Sequence, residues 1–298
     1  MLGQFVCQKF SKIGSITDIM TTKIKKLGII AGSDHLPRHI VDACVAKGID
    51  FVLIGLAEQT THELFTDIEY ETFPLHAISR IIKKLKSEEV SHLIFVGKVK
   101  RTSISKLLLD LKGAKLFGRI IKSGMNDNGI LSAVLGFFEA EGFKIVPVWE
   151  IASNIMVKCG SITNVGPTEE MWNDIERGLK VLKGIAQYDI GQALAIQSGL
   201  VLGVEAAEGT DELIKRCGEI QQKNEHGAIL IKISKPEQDL RVDLPSIGLK
   251  TIRQLHHYKF SGIAVEAERS LILNQSEVVE EANKLGIFVH GISVCSSR

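Results

Sequence analysis

The apolar residues of the N-terminal half form short runs that alternate with helical repeats. Leu27–Ala31 is an apolar run ending at Gly32, and Leu36–Lys47 then shows the three- and four-residue spacing of an amphipathic helix. The pattern repeats, with further strands predicted at Phe51–Leu56, His92–Gly97 and Phe143–Val148 and further helices near Leu75–Lys86 and Ser132–Glu141. Strands that alternate with helices are typical of a parallel sheet with helices on both faces. We therefore predict an α/β fold with a Rossmann-like, parallel-sheet N-terminal domain.

The C-terminal half carries a second pattern of the same class. Thr168 is the predicted N-cap of a long helix that reaches Ile185, and Ser198-Gly199 between two apolar runs is a two-residue hairpin signal. Strands are then predicted at Ala228–Ile233, Gly262–Glu266 and Ile287–His290, with a helix at Glu277–Leu285. We predict a flexible extension at residues 1–25, a Rossmann-like domain at 26–150, a linker at 151–165 and a second α/β domain at 166–298.

Composition narrows the class of protein without naming a function. The 298 residues are about twice the usual domain size, and 45% hydrophobic with 24% charged residues is a globular composition. The net charge of +1 gives no field that would attract nucleic acid, and 6% aromatic residues leave little for base stacking. Five dispersed cysteines without a CxxC pair are typical of reduced thiols in a cytosolic protein. We expect a cytoplasmic protein with no nucleic-acid partner.

The first strand–helix turn does not have the pattern of a dinucleotide site. It reads Gly32-Ser33-Asp34-His35-Leu36-Pro37, with one glycine where a dinucleotide fingerprint has three, and Asp34 would repel a pyrophosphate. The second strand ends without an acid for a ribose hydroxyl, so an NAD-dependent oxidoreductase is disfavoured. His35 and His39 have a metal-like spacing of four, but no third ligand is identifiable, and ordinary helix-start histidines are favoured.

Two other N-terminal loops carry candidate chemistry. Lys98, Lys100 and Arg101 follow a buried strand at the carboxyl edge of the sheet, where three cations suit a phosphate or diphosphate. A solvated charged loop explains the same spacing equally well. Asp127 lies in a glycine-flanked turn, where it either caps the next helix or contacts a ligand, and capping is favoured.

The densest chemistry lies in the C-terminal half, beginning with the acidic run around Glu205 and Glu208. These two acids could face a metal ion, while Thr210 or Asp211 would cap the helix that follows and offer backbone N–H groups to an anion. The alternative is an ordinary acidic helix start.

A second charged segment, residues 239–243, combines both signs of charge. In an extended conformation Asp239, Arg241 and Asp243 would project to one side, as expected for a divalent metal beside a phosphate. Lys232 and Lys235 precede this segment and are further candidates for phosphate contacts. A solvated Asp–Arg–Asp edge is the alternative.

Several sequence blocks occur in a fixed order: LGIIAG…LP, GKVKR, the turn around Asp127, DIGQA, VEAAEGTDELI, KPEQDLRVDLPSIGLKTI and GIAVEA. Together, from about Lys26 onward, they resemble the LpxI-type UDP-2,3-diacylglucosamine pyrophosphatases of Gram-negative lipid A biosynthesis. The chain departs from that pattern at its first turn, where the family is richer in glycine. It departs again at Asn126-Asp127, where a pair of acids is common, and at Thr102, where proline often follows the arginine.

The resemblance implies a two-domain, homodimeric enzyme with its lipid-linked substrate held between the domains. It further implies Mg²⁺-dependent hydrolysis of UDP-2,3-diacylglucosamine to UMP and 2,3-diacylglucosamine 1-phosphate (lipid X), with water attacking the sugar-side phosphorus. Two acyl chains imply an apolar groove and peripheral contact with the inner membrane.

The residues and the resemblance together give a set of expected roles. Asp239, Asp243 and Asp211 are the expected catalytic residues. The expected metal ligands are Asp239, Asp243, Glu205 and Glu208, and the expected substrate contacts are Asp34, Lys98, Lys100, Arg101, Asp127, Thr210, Lys232, Lys235 and Arg241. A non-catalytic nucleotide-sugar-binding regulator is the alternative, although it would not need several acids beside a phosphate.

Overall fold

The computed structural model describes residues 24–57, 59–99, 104–188, 190–222, 225–236 and 238–294. The chain forms two compact units. The N-terminal unit runs to Asn154 and also contains Asp239–Asp243, and the C-terminal unit comprises Ile155–Gln238 and the residues from Leu244 onward. A division at residue 166 would place Asp239–Asp243 in the second domain, whereas in the structure this segment belongs to the N-terminal unit. The extension predicted at residues 1–25 falls almost entirely outside the described residues.

The N-terminal unit is built on a parallel sheet. In the described residues this sheet has five strands in the order β3-β2-β1-β4-β5, and every pairing is parallel. The strands are β1 (Leu27–Ala31), β2 (Phe51–Leu56), β3 (Glu71–Phe73), β4 (His92–Val96) and β5 (Lys144–Ile145). The helices are α1 (Leu36–Lys47), α2 (Ile78–Ser87), α3 (Leu111–Ser123), α4 (Asp127–Ala140) and α5 (Val148–Ile151), with 3-10 turns at His62–Phe65 and Ile104–Leu109. The predicted α/β class is confirmed.

The central strand β1 is buried along its whole length, which explains its uninterrupted apolar sequence. On one side of the sheet a single apolar cluster includes Ile81 of α2, Leu116 of α3 and Phe138 of α4. Helix α1 lies outside that cluster and buries Ile40 and Cys44.

The C-terminal unit contains a mixed sheet. Among the described residues the sheet has six strands in the order β6-β13-β11-β9-β7-β8, with β9, β11 and β13 parallel and the other pairings antiparallel. The strands are β6 (Gly160–Ser161), β7 (Ala193–Gln197), β8 (Leu200–Val204), β9 (Ile229–Lys232), β11 (Gly262–Glu266) and β13 (Phe288–Ile292), and β10 (Ser246–Ile247) pairs separately with β12 (Leu271–Ile272). The helices are α6 (Glu169–Ala186), α7 (Thr210–Ile220), α8 (Leu249–His257) and α9 (Gln275–Leu285).

Alternation along the central strands of this sheet builds two apolar layers. Leu230 packs in a cluster that contains residues of α7, α8 and α9, whereas its neighbours Ile229 and Ile231 pack in a cluster with α6. Helices therefore cover both faces, which confirms a second α/β domain.

Several local predictions are confirmed, and those for two helix starts are wrong. Thr168 caps α6 through its hydroxyl, and the Ser198-Gly199 hairpin turn has positive φ at both residues, as a type I′ turn requires. Asp127 is not the N-cap of α4. Asn126 holds the extended conformation of a cap, and its side-chain oxygen accepts a hydrogen bond from Gly129 N at 3.0 Å.

The second wrong prediction concerns the start of α7. Its N-cap is Gly209, which has no side chain to cap the helix, and Thr210 is the first helical residue, whose hydroxyl donates to Glu205. The length and hydropathy of the helices in the described residues rule out each of them as a membrane-spanning segment.

Candidate functional site

In the N-terminal sheet the strand order reverses between β1 and β4, which makes this position the topological switch point. Open α/β sheets bind ligands beyond the carboxyl ends of the strands at such a point. Ser33 and Lys98 follow these strands and exchange two backbone hydrogen bonds of 2.8 and 2.9 Å. A Cβ on Gly32 would lie 2.4 Å from the Lys98 oxygen, and one on Gly97 would lie 2.4 Å from the Ser33 oxygen. The close approach of the two loops therefore requires glycine at both positions.

Asp34 places a carboxylate at this switch point. Its backbone has a φ of +87°, and its carboxylate accepts a hydrogen bond from His35 N at 2.7 Å and pairs with Lys98 Nζ at 3.2 Å. Partial burial acts to raise the pKa of Asp34, but the His35 N–H and the Lys98 charge outweigh it and hold the pKa below its ordinary value. Asp34 is thus ionised at neutral pH, beside a cation.

An apolar cavity of about 540 Å³ opens in the same unit. Its walls include the buried side chains of Ile81, Leu116, Ile120 and Phe138. Polar groups also line it: His76, Lys98, Lys106 and Asp243. An apolar interior with a few polar groups is the usual form of a small-molecule site, and the volume lies within the roughly 300–1,000 Å³ typical of ligand pockets.

Residues 239–243 form a turn, which corrects the extended conformation predicted for them. The backbone oxygen of Asp239 accepts from Val242 N at 3.1 Å and from Asp243 N at 3.0 Å. The Asp239 carboxylate also accepts from Arg241 N at 3.1 Å, so the aspartate caps its own turn. Val242 and Asp243 then line the apolar cavity.

The guanidinium of Arg241 lies between two carboxylates. It donates to Asp239 through Nε at 3.0 Å and Nη2 at 2.7 Å, and to Glu139 of α4 through Nη1 at 2.7 Å. These hydrogen bonds from Arg241 hold the pKa of Asp239 below its ordinary value. In this structure Arg241 organises the turn, and its phosphate contact stays a prediction.

In the C-terminal unit a buried chain of hydrogen bonds joins Glu205, Thr210 and Lys232. The Thr210 hydroxyl donates to Glu205 Oε1 at 2.7 Å and accepts from Lys232 Nζ at 3.2 Å, and that ammonium also donates to Ser246 O at 3.3 Å. Glu205 Oε2 accepts from Gln192 N at 3.0 Å. Both charged side chains are buried, at 6% and 7% exposure, so each depends on these partners for its stability in the folded state.

The other acids of this run have different partners. Glu208 pairs with Arg216 at 2.9 Å, and its pKa is lowered by a backbone hydrogen bond and by that arginine. Asp211 pairs with Lys250 at the surface. Lys235 lies in the loop after β9, where its backbone N–H donates to Gln238 Oε1 at 3.1 Å.

A buried carboxylate at the end of β11 was not among the predicted site residues. Glu266, at the carboxyl end of β11, is 4% exposed and accepts hydrogen bonds from Ser234 N at 2.7 Å and Ser234 Oγ at 2.6 Å. The sequence signal was the similarity of VEA at Glu205 and at Glu266, since both acids follow a strand. Lys100 and Arg101 lie outside the described residues, and of Asp127 the backbone alone is described, as the first residue of α4.

Some of these carboxylates are candidate ligands for a metal ion. In the part of the chain that the structure describes, no three His, Cys, Asp or Glu side chains gather as a metal cage. Mg²⁺ commonly uses one or two carboxylates and completes its shell with water and substrate phosphates. Asp239 and Asp243 belong to one turn, but both oxygens of Asp239 accept from Arg241 and would have to exchange these hydrogen bonds for a metal ion. The two oxygens of Glu205 are engaged in the same way, by Thr210 and Gln192.

Comparison with known proteins gives a match over both units. Residues 26–155 match the LpxI N-terminal domain model and residues 158–290 match the LpxI C-terminal domain model. A curated protein of Caulobacter vibrioides, UDP-2,3-diacylglucosamine pyrophosphatase LpxI, is 34% identical over 280 residues, which are 90% of this chain and 98% of that protein.

Among solved structures the similarity is partial. The Bordetella bronchiseptica enzyme WbmG in complex with NAD gives a TM-score of 0.29 at 10% identity, over 43% of this chain and 38% of that one. The Thermus thermophilus UDP-glucose 4-epimerase complex with NAD gives 0.25 at 16% identity, over 49% and 41%. These scores are too low to bear on the chemistry.

Proposed function

Because the chain belongs to the LpxI family, we propose that it hydrolyses UDP-2,3-diacylglucosamine to UMP and 2,3-diacylglucosamine 1-phosphate in lipid A biosynthesis. The family match makes the chain a hydrolase of a diphosphate bond and disfavours the non-catalytic nucleotide-sugar-binding protein. We place the reaction in the cytoplasm, at the inner membrane, and we expect a homodimer.

The apolar cavity of the N-terminal unit is the observation that carries this proposal. A substrate with acyl chains needs an apolar volume beside groups that handle phosphate. The cavity supplies about 540 Å³ with walls of Ile, Leu, Val and Phe side chains, and Lys98 and Lys106 lie on its lining. A cavity lined in this way favours a lipid-linked phosphate over a free nucleotide, whose base and ribose would leave buried hydrogen-bonding groups unpaired.

Cations are the candidates for contacts with the diphosphate. Lys98 lies at the switch point, and Lys100 and Arg101 follow it in the sequence. Lys232 and Lys235 are the corresponding candidates in the C-terminal unit, with Thr210 beside Lys232. Cations at these positions would neutralise the charge that develops on the phosphoryl oxygens in the transition state.

We assign Mg²⁺ to Asp239 and Asp243, together with the substrate phosphates. The ion would supply charge neutralisation on the phosphoryl oxygens. The turn is held by the Asp239 backbone oxygen, and Arg241 lowers the pKa of Asp239, so this carboxylate stays ionised at neutral pH as a weak base. Asp211, in the first turn of α7, is a further candidate for positioning the water.

In the reaction proposed, water attacks the phosphorus attached to the glucosamine. The new bond joins that phosphorus to the water oxygen, the bond from the same phosphorus to the bridging oxygen breaks, and the bridging oxygen leaves with UMP. A water proton passes to a carboxylate of the site and then to solvent. Stabilisation of the UMP oxygen by the cations makes it an adequate leaving group.

The direct test is incubation of the purified protein with UDP-2,3-diacylglucosamine, with Mg²⁺ or with EDTA, while UMP is measured. We expect UMP with Mg²⁺ and little with EDTA. In ¹⁸O-labelled water the label should enter the lipid phosphate. Label in UMP would reverse the assigned orientation, and UMP release unaffected by EDTA would remove the metal from the proposal.

Substitutions in the turn test the two carboxylates. Asp239→Asn and Asp243→Asn should each lower turnover at least ~100-fold while the protein stays folded, as expected when a metal-positioning carboxylate is lost. The matched control is Glu139→Gln, which removes a charge from the other side of Arg241 and should leave turnover within about 3-fold of wild type. Near-normal turnover of both aspartate variants would move the chemistry to another part of the chain.

A further inference from the structure

A compact group of leucines is exposed at the start of α3. Leu108, Leu109 and Leu111 are 55%, 76% and 88% exposed, and we call them the leucine patch. Single exposed apolar residues are ordinary on protein surfaces, whereas large apolar side chains grouped within four consecutive positions are uncommon there. Elsewhere in the described chain the exposed large apolar residues stand singly, as Val45, Val165 and Ile220 do, or in twos, as Tyr188 and Ile190 do.

The exposure of the leucine patch is held in place by the residue in its middle. Asp110 caps α3 by accepting hydrogen bonds from Lys112 N at 2.8 Å and Gly113 N at 3.2 Å, and it also accepts from Ser79 N of α2 at 2.8 Å. These bonds anchor the junction between the 3-10 turn and α3 to the body of the unit. Leu107, next to the patch, is 7% exposed.

The helix that follows the patch is basic. Helix α3 carries four cations and no acid between Leu111 and Ser123. Lys112 pairs with Glu141, and Arg119 donates to Gly136 O at 2.7 Å. Lys115 and Lys122 lie one and three turns beyond Leu111, on exposed positions of the helix. An apolar group next to a basic helix face is the pattern of a segment that lies on an anionic lipid surface.

The patch also adjoins the apolar cavity through the chain itself. Lys106 and Leu107 line the cavity, and the next two residues, Leu108 and Leu109, face solvent. A lipid that leaves a bilayer at the leucine patch would therefore enter next to residues that line the cavity. The geometry points to the leucine patch and the basic face of α3 as the surface that docks on an anionic bilayer. This inference rests on the proposed function, because it gives the cavity a lipid-linked substrate.

A second copy of the chain is the other occupant to consider. Stable protein interfaces bury about 800 Å² on each partner and have few charges at their centre. Three leucines beside several lysines form a smaller and more charged surface than that. The bilayer is therefore the occupant that the composition of this surface favours.

Vesicle flotation tests the inference with the full-length protein and without substrate. Wild-type protein is mixed with vesicles of phosphatidylethanolamine containing about 25% phosphatidylglycerol, or with neutral phosphatidylcholine vesicles, and the bound fraction is measured at low and high salt. We expect binding to the anionic vesicles that weakens as salt rises. The double variant Leu109→Asp, Leu111→Asp should bind about 10- to 100-fold more weakly. The control is Val45→Asp, which replaces an apolar residue by one of the two added charges at a 62% exposed position of the same unit.

The vesicle experiment distinguishes docking on a bilayer from self-association. The inference is supported when the double variant loses vesicle binding while Val45→Asp and the melting temperature stay unchanged. It is overturned if wild type ignores anionic vesicles, or if the double variant binds as well as wild type. It is also overturned if the double variant changes from dimer to monomer and keeps its vesicle binding. UMP release from detergent-dispersed substrate is measured in parallel, so that a failure of the proposed function is seen independently of vesicle binding.

Discussion

The positive φ of Asp34 allows the backbone and side-chain contributions at the switch point to be separated. Two substitutions remove the same carboxylate: Asp34→Ala keeps a Cβ in the φ +87° conformation, and Asp34→Gly does not. Both lose the hydrogen bond from His35 N at 2.7 Å and the pair with Lys98 at 3.2 Å. A difference in stability between the two variants therefore measures the cost of the Cβ at this φ.

The expected magnitudes follow from these contacts. The His35 hydrogen bond to a charged acceptor contributes about 1 kcal/mol, and the pair with the 78% exposed Lys98 adds at most a few tenths after solvent screening. Asp34→Ala should thus lower the free energy of unfolding by about 1 kcal/mol. Glycine removes a backbone cost of about 1–2 kcal/mol, so Asp34→Gly should be as stable as wild type or slightly more stable.

Each unit holds one tryptophan, Trp149 in α5 and Trp172 in α6, which provides the assay. In a Trp172→Phe background, the fluorescence of Trp149 follows urea unfolding of the N-terminal unit alone. Asp34→Gly should have the higher midpoint of the two variants. Equal midpoints, or a higher one for Asp34→Ala, would refute the argument that the backbone at Asp34 is strained.

Two further predictions concern the other charged clusters. Thr210→Val removes one hydrogen-bond partner each from the buried side chains of Glu205 and Lys232, so it should lower the free energy of unfolding by about 2–4 kcal/mol. Thr210→Ser keeps the hydroxyl and should retain most of the wild-type stability. A loss below about 0.5 kcal/mol for Thr210→Val in a urea titration would contradict the role of the hydroxyl. Arg241 lowers the pKa of Asp239, so this carboxylate contributes stability above its unfolded pKa of about 3.9 and loses it as pH falls through the lower folded value. The stability difference between wild type and Asp239→Asn should therefore hold near pH 6 and disappear toward pH 3, and a difference independent of pH would exclude the ion pair as its cause.

The central strands of both units could be predicted because a buried parallel strand has an uninterrupted apolar sequence. Strands β1 and β2 begin and end with their apolar runs, because a parallel strand that is covered on both faces has few polar positions. Strand β11 also has its predicted bounds, although it ends at the buried Glu266. Strand β5 was expected over Phe143–Val148 and covers Lys144–Ile145 alone. The neighbouring residues Phe143, Val146 and Val148 are buried in loop and helix positions, which an apolar run cannot distinguish from a strand.

The hydrogen-bond partners of the charged side chains could not be predicted from the sequence pattern. The acidic run at Glu205–Asp211 has the pattern of one cluster, yet Glu205, Glu208 and Asp211 bind three different partners: Thr210, Arg216 and Lys250. Arg216 lies later in α7, and Lys250 lies in α8. Proximity in the sequence therefore gave the correct residue types for a charged site and did not give their pairing.

The segment 239–243 shows how one ambiguous signal changes the chemistry expected of a site. Residues two apart share a face in a strand, but an aspartate also accepts a hydrogen bond from the N–H two residues on, and Pro236 and Pro245 nearby favour such a turn. In the turn Arg241 is held by Asp239 and Glu139. A phosphate could bind this guanidinium only by replacing carboxylate oxygens, whereas Asp243 already lines the apolar cavity. Under the proposed function, a phosphate in the cavity beside Asp243 would therefore need a cation between the two negative charges.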